Sequence, residues 1–192
     1  FNEADRIGAC LDSLSFCDQV VVVDSHSTDD TRLIAAARGA LVIERDWPGY
    51  RSQRQFAASA ANHDWILSID ADERVSDGLR AELEALKSRG FAGIAGASVP
   101  TLTSYFGRFL RHGNAWPDRH VRLFDRRRAR WGGYEIHEKI LLDGEIARLL
   151  GPLEHYSYRN FGEHVAKMDR YAQLMADHSF AAGKRASLLQ VM

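Results

Sequence analysis

The hydrophobic positions change period along this chain. Ile7, Cys10, Leu11 and Leu14 fall at helical spacing behind Asn2. That predicts a helix with Asn2 as its N-cap and Glu3 and Asp5 in the first turn. Gln19 to Val23 is a largely β-branched run of the kind buried in parallel sheets, and it ends at Asp24. Ser25 to Asp30 reads as a polar loop, in which Thr28 is expected to cap a helix to about Arg38, with Gly39 at its C′ position. Leu41 to Ile43 follows as a short strand, Trp47-Pro48-Gly49 as a turn and Arg51 to Ala61 as a helix. Trp65 to Ile69 is a further buried strand, running into Asp70-Ala71-Asp72-Glu73. A helix from about Asp77 to Arg89 stops at Gly90. This alternation predicts an α/β layer on a mostly parallel sheet.

Past residue 90 the pattern changes. Ala95 to Leu102, Arg119 to Phe124 and Ile146 to Leu150 read as strands, Arg126 to Arg130 as a basic turn and Trp131-Gly132-Gly133 as a loop. Phe161 to Phe180 is helical, with Val165, Met168, Tyr171, Ala172 and Met175 on one face. There is no repeat, low-complexity stretch or linker, and 192 residues make one domain at about 150 residues each.

Composition removes several classes. Hydrophobic residues are 45% and charged residues 27%, the balance of a globular chain rather than a disordered one. With 25 basic and 26 acidic residues the net charge is −1, which excludes a globally basic coat for nucleic acid. Cys10 and Cys17 form no CxxC and read as small buried residues in a reducing compartment. No apolar run reaches the roughly 18 residues of a membrane span. The chain opens Phe1-Asn2-Glu3 and stops at Leu189-Gln190-Val191-Met192 without a cap, so we expect a piece cut at both ends.

Chemistry concentrates at strand ends, where α/β sheets bind ligands. Asp70 and Asp72, two apart after a buried strand, can converge on one hard cation such as Mg²⁺ together with substrate phosphates, although a solvated acidic turn has the same composition. Asp24, before a helix N-terminus, can hold a sugar hydroxyl or a base N–H, and reads equally as part of an ordinary capped loop. In Ile136-His137-Glu138, Glu138 can serve as a general base; a surface charged pair is the plain alternative. His155 can be a metal ligand or a packed imidazole. Arg126-Arg127-Arg128 reads as a hairpin turn facing anionic solutes. Tyr105, Phe106, Phe109 and Leu110, interleaved with Arg108 and Arg111, read as an interfacial patch or as core.

Together these segments resemble the family-2 glycosyltransferases of the GT-A fold. The matching residues are Phe1-Asn2-Glu3, Val21 to Thr31, Arg54-Gln55 and Asp64 through Glu73. Arg122-Leu123-Phe124, Ile136-His137-Glu138 and Gly151 to Tyr158 are similar to the bacterial members that glycosylate the lipopolysaccharide core. The resemblance implies a Rossmann-like, mostly parallel central sheet flanked by helices, with a C-terminal helix and the family's first strand missing. It divides the single domain into a nucleotide-binding half (1–95), an acceptor and catalytic half (96–158) and a helical segment (159–192). His26 stands in a loop where the family often has Gly, and His-Glu replaces the Glu-Asp of many relatives.

The implied activity is inverting transfer of a sugar from a nucleoside-diphosphate donor, a UDP-sugar first, to a hydroxyl of a glycolipid or polysaccharide. By position, Asn2, Glu3, Asp24, Arg54 and Asp70 would bind the nucleotide-sugar. Asp72, with Asp70 and His155, would hold Mg²⁺ or Mn²⁺, and Glu138, with His137 second, would be the base. The implied setting is cytoplasmic, with peripheral contact to the anionic inner face of the plasma membrane and no nucleic-acid partner. The competing readings are a DxD phosphatase, a nucleotidyltransferase, and a non-catalytic anion-binding module on Arg119 to Arg130.

Overall fold

The computed structural model describes residues 1–113, 116–134, 137–181 and 183. The chain divides into two compact units, 1–157 and 158–192. The first half of unit one runs α1 (Ile7–Ser13), β1 (Val21–Asp24), α2 (Thr31–Ala37), β2 (Leu41–Glu44), α3 (Tyr50–Ala60), β3 (Trp65–Leu67), β4 (Glu73–Val75) and α4 (Asp77–Ser88). Strands then dominate: β5 (Gly96–Tyr105), β6 (Arg108–Phe109), β7 (Asp118–Asp125), β8 (Ala129–Tyr134), β9 (His137–Leu142), β10 (Ile146–Arg148) and β11 (Leu153–His155). Unit two holds α5 (Phe161–Ala181).

The α/β class expected from the sequence is the class observed, with helices around a central sheet. Its pairing is mixed. Seven strands run in the order β3-β7-β5-β11-β4, with β10 and β6 also on β5. β10 and β11 lie parallel to β5, whereas β3–β7, β7–β5, β11–β4 and β6–β5 are antiparallel. Parallel neighbours need long crossovers, usually helical. Helix α2 makes that crossover between β1 and β2, whereas β5 reaches its parallel partners β10 and β11 through the strands β6 to β9, with no helix among the described residues between them. The parallel pair β1–β2 and the antiparallel ribbon β8–β9 are separate two-stranded sheets.

Packing follows the hydrophobic pattern. Ile7 and Leu11 of α1 pack with Ala35 of α2 against Val22 and Val42 of β1–β2. Cys10 and Leu14, on the neighbouring stripe, join Val75, Leu79, Leu83, Val99, Leu123 and Leu153 of the large sheet and α4. One short helix thereby packs on both sheets and sets its N-terminal approach, Glu3 to Arg6, beside the ends of their strands. Ser76 caps α4, accepting from the Leu79 N–H at 3.3 Å, and Asp77 occupies the first turn. Ala58 of α3 packs on Phe124, Trp131 and Ile140, seating the ribbon on the sheet.

Three local expectations change. Asn2 does not cap α1: its φ of 56° is left-handed, and its side-chain oxygen accepts the Thr28 N–H at 2.9 Å. Thr28 does not cap α2 either, because that helix starts at Thr31, whose N–H and hydroxyl bond to Asp29 at 3.0 and 2.5 Å. Trp131-Gly132-Gly133 is strand rather than loop, since Leu141 lies over Gly132 where a Cβ would sit 2.5 Å from it. In unit two, Asn160 caps α5 by accepting the Glu163 N–H at 2.9 Å, and Val165, Met168 and Met175 are exposed.

Candidate active site

The strand-end acids sit in two linked groups. Asp24, at the end of β1, is buried, and the loop after it folds onto its carboxylate. The Ser27 N–H donates to Oδ2 at 2.7 Å and the Ser27 hydroxyl to Oδ1 at 2.5 Å. The Asn2 N–H donates to the same hydroxyl at 2.9 Å, and the Glu3 N–H to Thr31 Oγ1 at 2.8 Å. The chain start and the Asp24 loop thus form one bonded unit. Gln53 of α3 donates to Ser25 Oγ at 3.1 Å from its other side.

The second group is built on Asp70-Ala71-Asp72-Glu73. This turn closes twice: the Glu73 N–H donates to the Asp70 carbonyl at 2.9 Å, and the Asp70 N–H to Glu73 Oε2 at 2.8 Å. Glu73 is 1% exposed, and its other oxygen takes a hydrogen bond from Arg122 of β7. Burial pushes the Glu73 carboxyl up to about 7, against the pull of Arg122. Its neighbours on the strands thus fix where Asp70 and Asp72 emerge.

From that turn the acids point to different partners. Asp70 Oδ2 receives Arg54 Nη2 at 2.8 Å, with Arg122 at 3.9 Å. Arg54 Nε lies 3.3 Å from Glu138 Oε1 on β9, and its guanidinium stands 5.3 Å from the centre of the Trp131 ring. Burial works against the Arg54 charge, but Asp70 and Glu138 outweigh it and hold the group above its ordinary value. Asp72 Oδ2 instead faces His155 Nε2 at 3.3 Å and Arg6 at 3.8 Å, and Arg6 continues to Glu3 at 3.7 Å. Ser157 Oγ stands 3.1 Å from the opposite His155 nitrogen.

The structure therefore brings Asn2, Glu3, Asp24, Arg54, Asp70, Asp72, Glu138 and His155 into one connected network. Ile136 and the His137 side chain lie outside the described residues. Arg6, Ser27 and Trp131 belong to the network and were not foreseen as site residues. The Glu3–Arg6 spacing of three was the legible signal for Arg6. Among the described residues no three His, Cys, Asp or Glu side chains converge on a ready-made cation site. The donors that meet are Asp72 and His155, while the described contacts of Asp70 go to arginine. The Asp72 carboxylate suits Mg²⁺ or Mn²⁺ when substrate phosphates and water supply the remaining ligands, and the His155 imidazole, a softer donor, fits Mn²⁺ better than Mg²⁺.

Residues 1–143 match the family model described as glycosyl transferase family 2. The chain belongs to this family. The family 2 chain is 31% identical over 195 residues to the lipopolysaccharide core biosynthesis glycosyltransferase LpsC of Rhizobium meliloti (strain 1021), covering 96% of this chain and 70% of that one. It shares its fold with a solved mycobacterial protein at a TM-score of 0.53 and 22% identity, over 84% of this chain and 66% of that one. A glucosyl-3-phosphoglycerate synthase from Mycobacterium tuberculosis, solved with Mn²⁺, UDP-glucose and phosphoglyceric acid, is 26% identical at a TM-score of 0.41. That likeness covers 56% of this chain and 41% of the synthase, so the family 2 chain spans less than half of that solved protein. Among the described residues no helix is long and apolar enough to cross a membrane.

Proposed function

We propose that this chain carries the catalytic site of an inverting glycosyltransferase. It would move a sugar from a UDP-sugar to a hydroxyl of a glycolipid or polysaccharide. The observation that carries the reading is the Arg54 bridge. One guanidinium binds Asp70 on the strand-end side and Glu138 on the ribbon side, at 2.8 and 3.3 Å. The acid suited to activate an acceptor is thereby tied to the acid suited to the donor.

In this reading Asn2, Glu3 and Asp24 hold the nucleoside, and Arg54 and Asp70 sit at the diphosphate. Glu138 takes the proton of the acceptor hydroxyl as that oxygen attacks the anomeric carbon. The bond from that carbon to the diphosphate breaks, and its electron pair leaves on the diphosphate oxygen. His137 is the second choice of base. Around the site, leaving out Glu73 whose carboxyl burial pushes up to about 7, four carboxylates (Glu3, Asp70, Asp72 and Glu138) face three guanidiniums (Arg6, Arg54 and Arg122). That excess of negative charge repels a diphosphate arriving alone. Asp72 and His155, with Asp70 beside them, are the residues that would hold a Mg²⁺ or Mn²⁺ ion, which supplies charge neutralisation at the leaving diphosphate.

The similarity to LpsC directs the acceptor reading to the lipopolysaccharide core and the place of action to the cytoplasmic face of the plasma membrane. Phe106 and Leu110, 46% and 38% exposed beside exposed Arg108 and Arg111, supply an apolar and basic surface for that contact. The test is calorimetric titration of UDP and ADP into the full-length protein, with and without Mn²⁺. We expect UDP to bind, and to bind tightly only with the metal. Glu138→Gln should keep that affinity and lose turnover by roughly a hundredfold or more. A folded protein that binds neither nucleotide would overturn the reading.

A further inference from the structure

The outer end of the β8–β9 ribbon forms a cleft that the transfer reaction does not use. It has a volume of about 490 Å³ and is lined by Arg127, Arg128, Ala129, Arg130, Leu141, Leu142 and Asp143. It is an open groove rather than an enclosed cavity. Three guanidiniums there meet one carboxylate. Arg127 is already neutralised, by Asp125 at 2.7 Å and Asp64 at 3.0 Å. Arg128 feels the Asp125 carboxylate at longer range, and neither Arg128 nor Arg130 is within ion-pair distance of a carboxylate among the described residues.

Two features hold these cations in place. Gly144 has a φ of +127°, and a Cβ there would stand 2.2 Å from Arg128 Nη2 and 2.9 Å from its guanidinium carbon. The Arg128 guanidinium therefore lies directly over Gly144, in space that a side chain there would contest. Arg130 is exposed on β8 directly before buried Trp131, which packs into the core, so alternation turns Arg130 to the outer face. There it pairs in register with Leu141, whose side chain is 36% exposed. Two like charges share one cleft beside an apolar wall, and an anion would relieve their repulsion.

We propose that this cleft binds a phosphate ester, with the two guanidiniums on the phosphate and the Leu141 side chain against the carbon skeleton it carries. Arginine's planar fork suits phosphate oxygens two at a time. The site is separate from the donor network. Glu138 pairs with Gly133, four residue pairs along the ribbon from Ala129 and Leu142, a separation of about 13 Å at strand rise.

The test is titration of the full chain, at low salt and with UDP and Mn²⁺ already saturating, by three soluble probes: glucose 6-phosphate, inorganic phosphate and glucose. Vesicles with and without phosphatidylglycerol form a fourth arm. Glucose 6-phosphate is expected to bind and glucose not to. Arg128→Gln/Arg130→Gln, two exposed changes, should weaken that binding about tenfold or more and leave UDP affinity alone. Inorganic phosphate binding as well as the ester would identify the phosphate group alone as the ligand. Binding restricted to phosphatidylglycerol vesicles, and lost in the double variant, would identify a lipid headgroup as the source of the ester. Equal binding of glucose, or an unchanged affinity in the double variant, would overturn the proposal.

Discussion

Replacing Ser27 by alanine separates the bonds that hold the Asp24 loop from those that merely decorate it. Ser27 is 1% exposed, and its hydroxyl stands between two groups: it donates to Asp24 Oδ1 at 2.5 Å and accepts the Asn2 N–H at 2.9 Å. Ser27→Ala deletes both bonds. A hydrogen bond to a charged group contributes about 1.5–3 kcal/mol. Asn2 is half-buried, so water recovers part of the second bond, and the Ser27 N–H still reaches Oδ2 at 2.7 Å. The net loss should be about 2 kcal/mol, a large share of the roughly 5–15 kcal/mol that holds a domain folded. It corresponds to a fall in Tm of about 4–8 °C for a chain of this size. Thr28→Ala is the control. Thr28 is exposed and its hydroxyl bonds only the Asn2 side chain, accepting from its amide nitrogen at 3.2 Å and donating to its oxygen at 3.4 Å, so the change should stay within about 0.5 kcal/mol. Urea denaturation measures both. UDP titration should show weaker binding for Ser27→Ala alone, because Asp24 loses one of its two anchors. Equal effects of the two substitutions would refute the reasoning.

Asp72→Ala should remove the metal-dependent part of UDP binding while leaving the fold intact; a variant whose affinity still rises with Mn²⁺ would take Asp72 out of the cation site. Burial pushes the Cys10 thiol up to about 12, so at mild alkaline pH it stays protonated and should resist iodoacetamide in the folded protein, yet react in urea. Rapid alkylation of folded Cys10, read by mass spectrometry, would contradict its placement. Leu79 is fully buried beneath Gly151, where even a Cβ would meet its backbone at 2.2 Å. Leu79→Ala should cost about 2–5 kcal/mol in urea denaturation, and a loss below about 1 kcal/mol would mean the α4 interface relaxes freely.

The elements with long apolar runs were legible. The runs over Val21–Asp24 and Asp77–Ser88 carry the periods of buried strand and amphipathic helix, and both elements lie within a residue or two of expectation. β4 and β11 were not legible, because Glu73-Arg74-Val75 and Leu153-Glu154-His155 are three residues each and mostly polar. They are strands only because they pair with each other, and β11 also with β5. That pairing puts His155 opposite Glu73 and brings His155 to Asp72. The acids of the site could be named from motif spacing, but their partners depend on side chains far apart in sequence. Arg54 meets Glu138 across 84 positions of chain, and no local pattern carries such a contact. The glycine pair after Trp131 misled for a related reason: Gly132 is strand because Leu141, on the partner strand, covers it.

Arg54 is the residue on which the two halves of the chemistry depend, and Arg54→Lys tests that directly. Its two bonds use different nitrogens: Nη2 to Asp70 at 2.8 Å and Nε to Glu138 at 3.3 Å. They lie at fixed positions on one plane, which also faces the Trp131 ring. A lysine keeps the charge but has a single ammonium on a flexible stem, so it can satisfy one carboxylate well and not both. If the ammonium stays with Asp70, Glu138 loses its positioning and kcat falls while the KM for donor changes little. If it moves to Glu138, donor binding weakens by about tenfold, the worth of one charge-assisted hydrogen bond, and the chemical step is spared. A loss in both would mean that the ammonium holds neither acid and that the bridge needs the planar fork. Steady-state kinetics with varied donor separate these outcomes. Unchanged kcat and unchanged KM together would remove the Arg54 bridge as the link between donor and base, and with it the observation on which the transferase reading of this site rests.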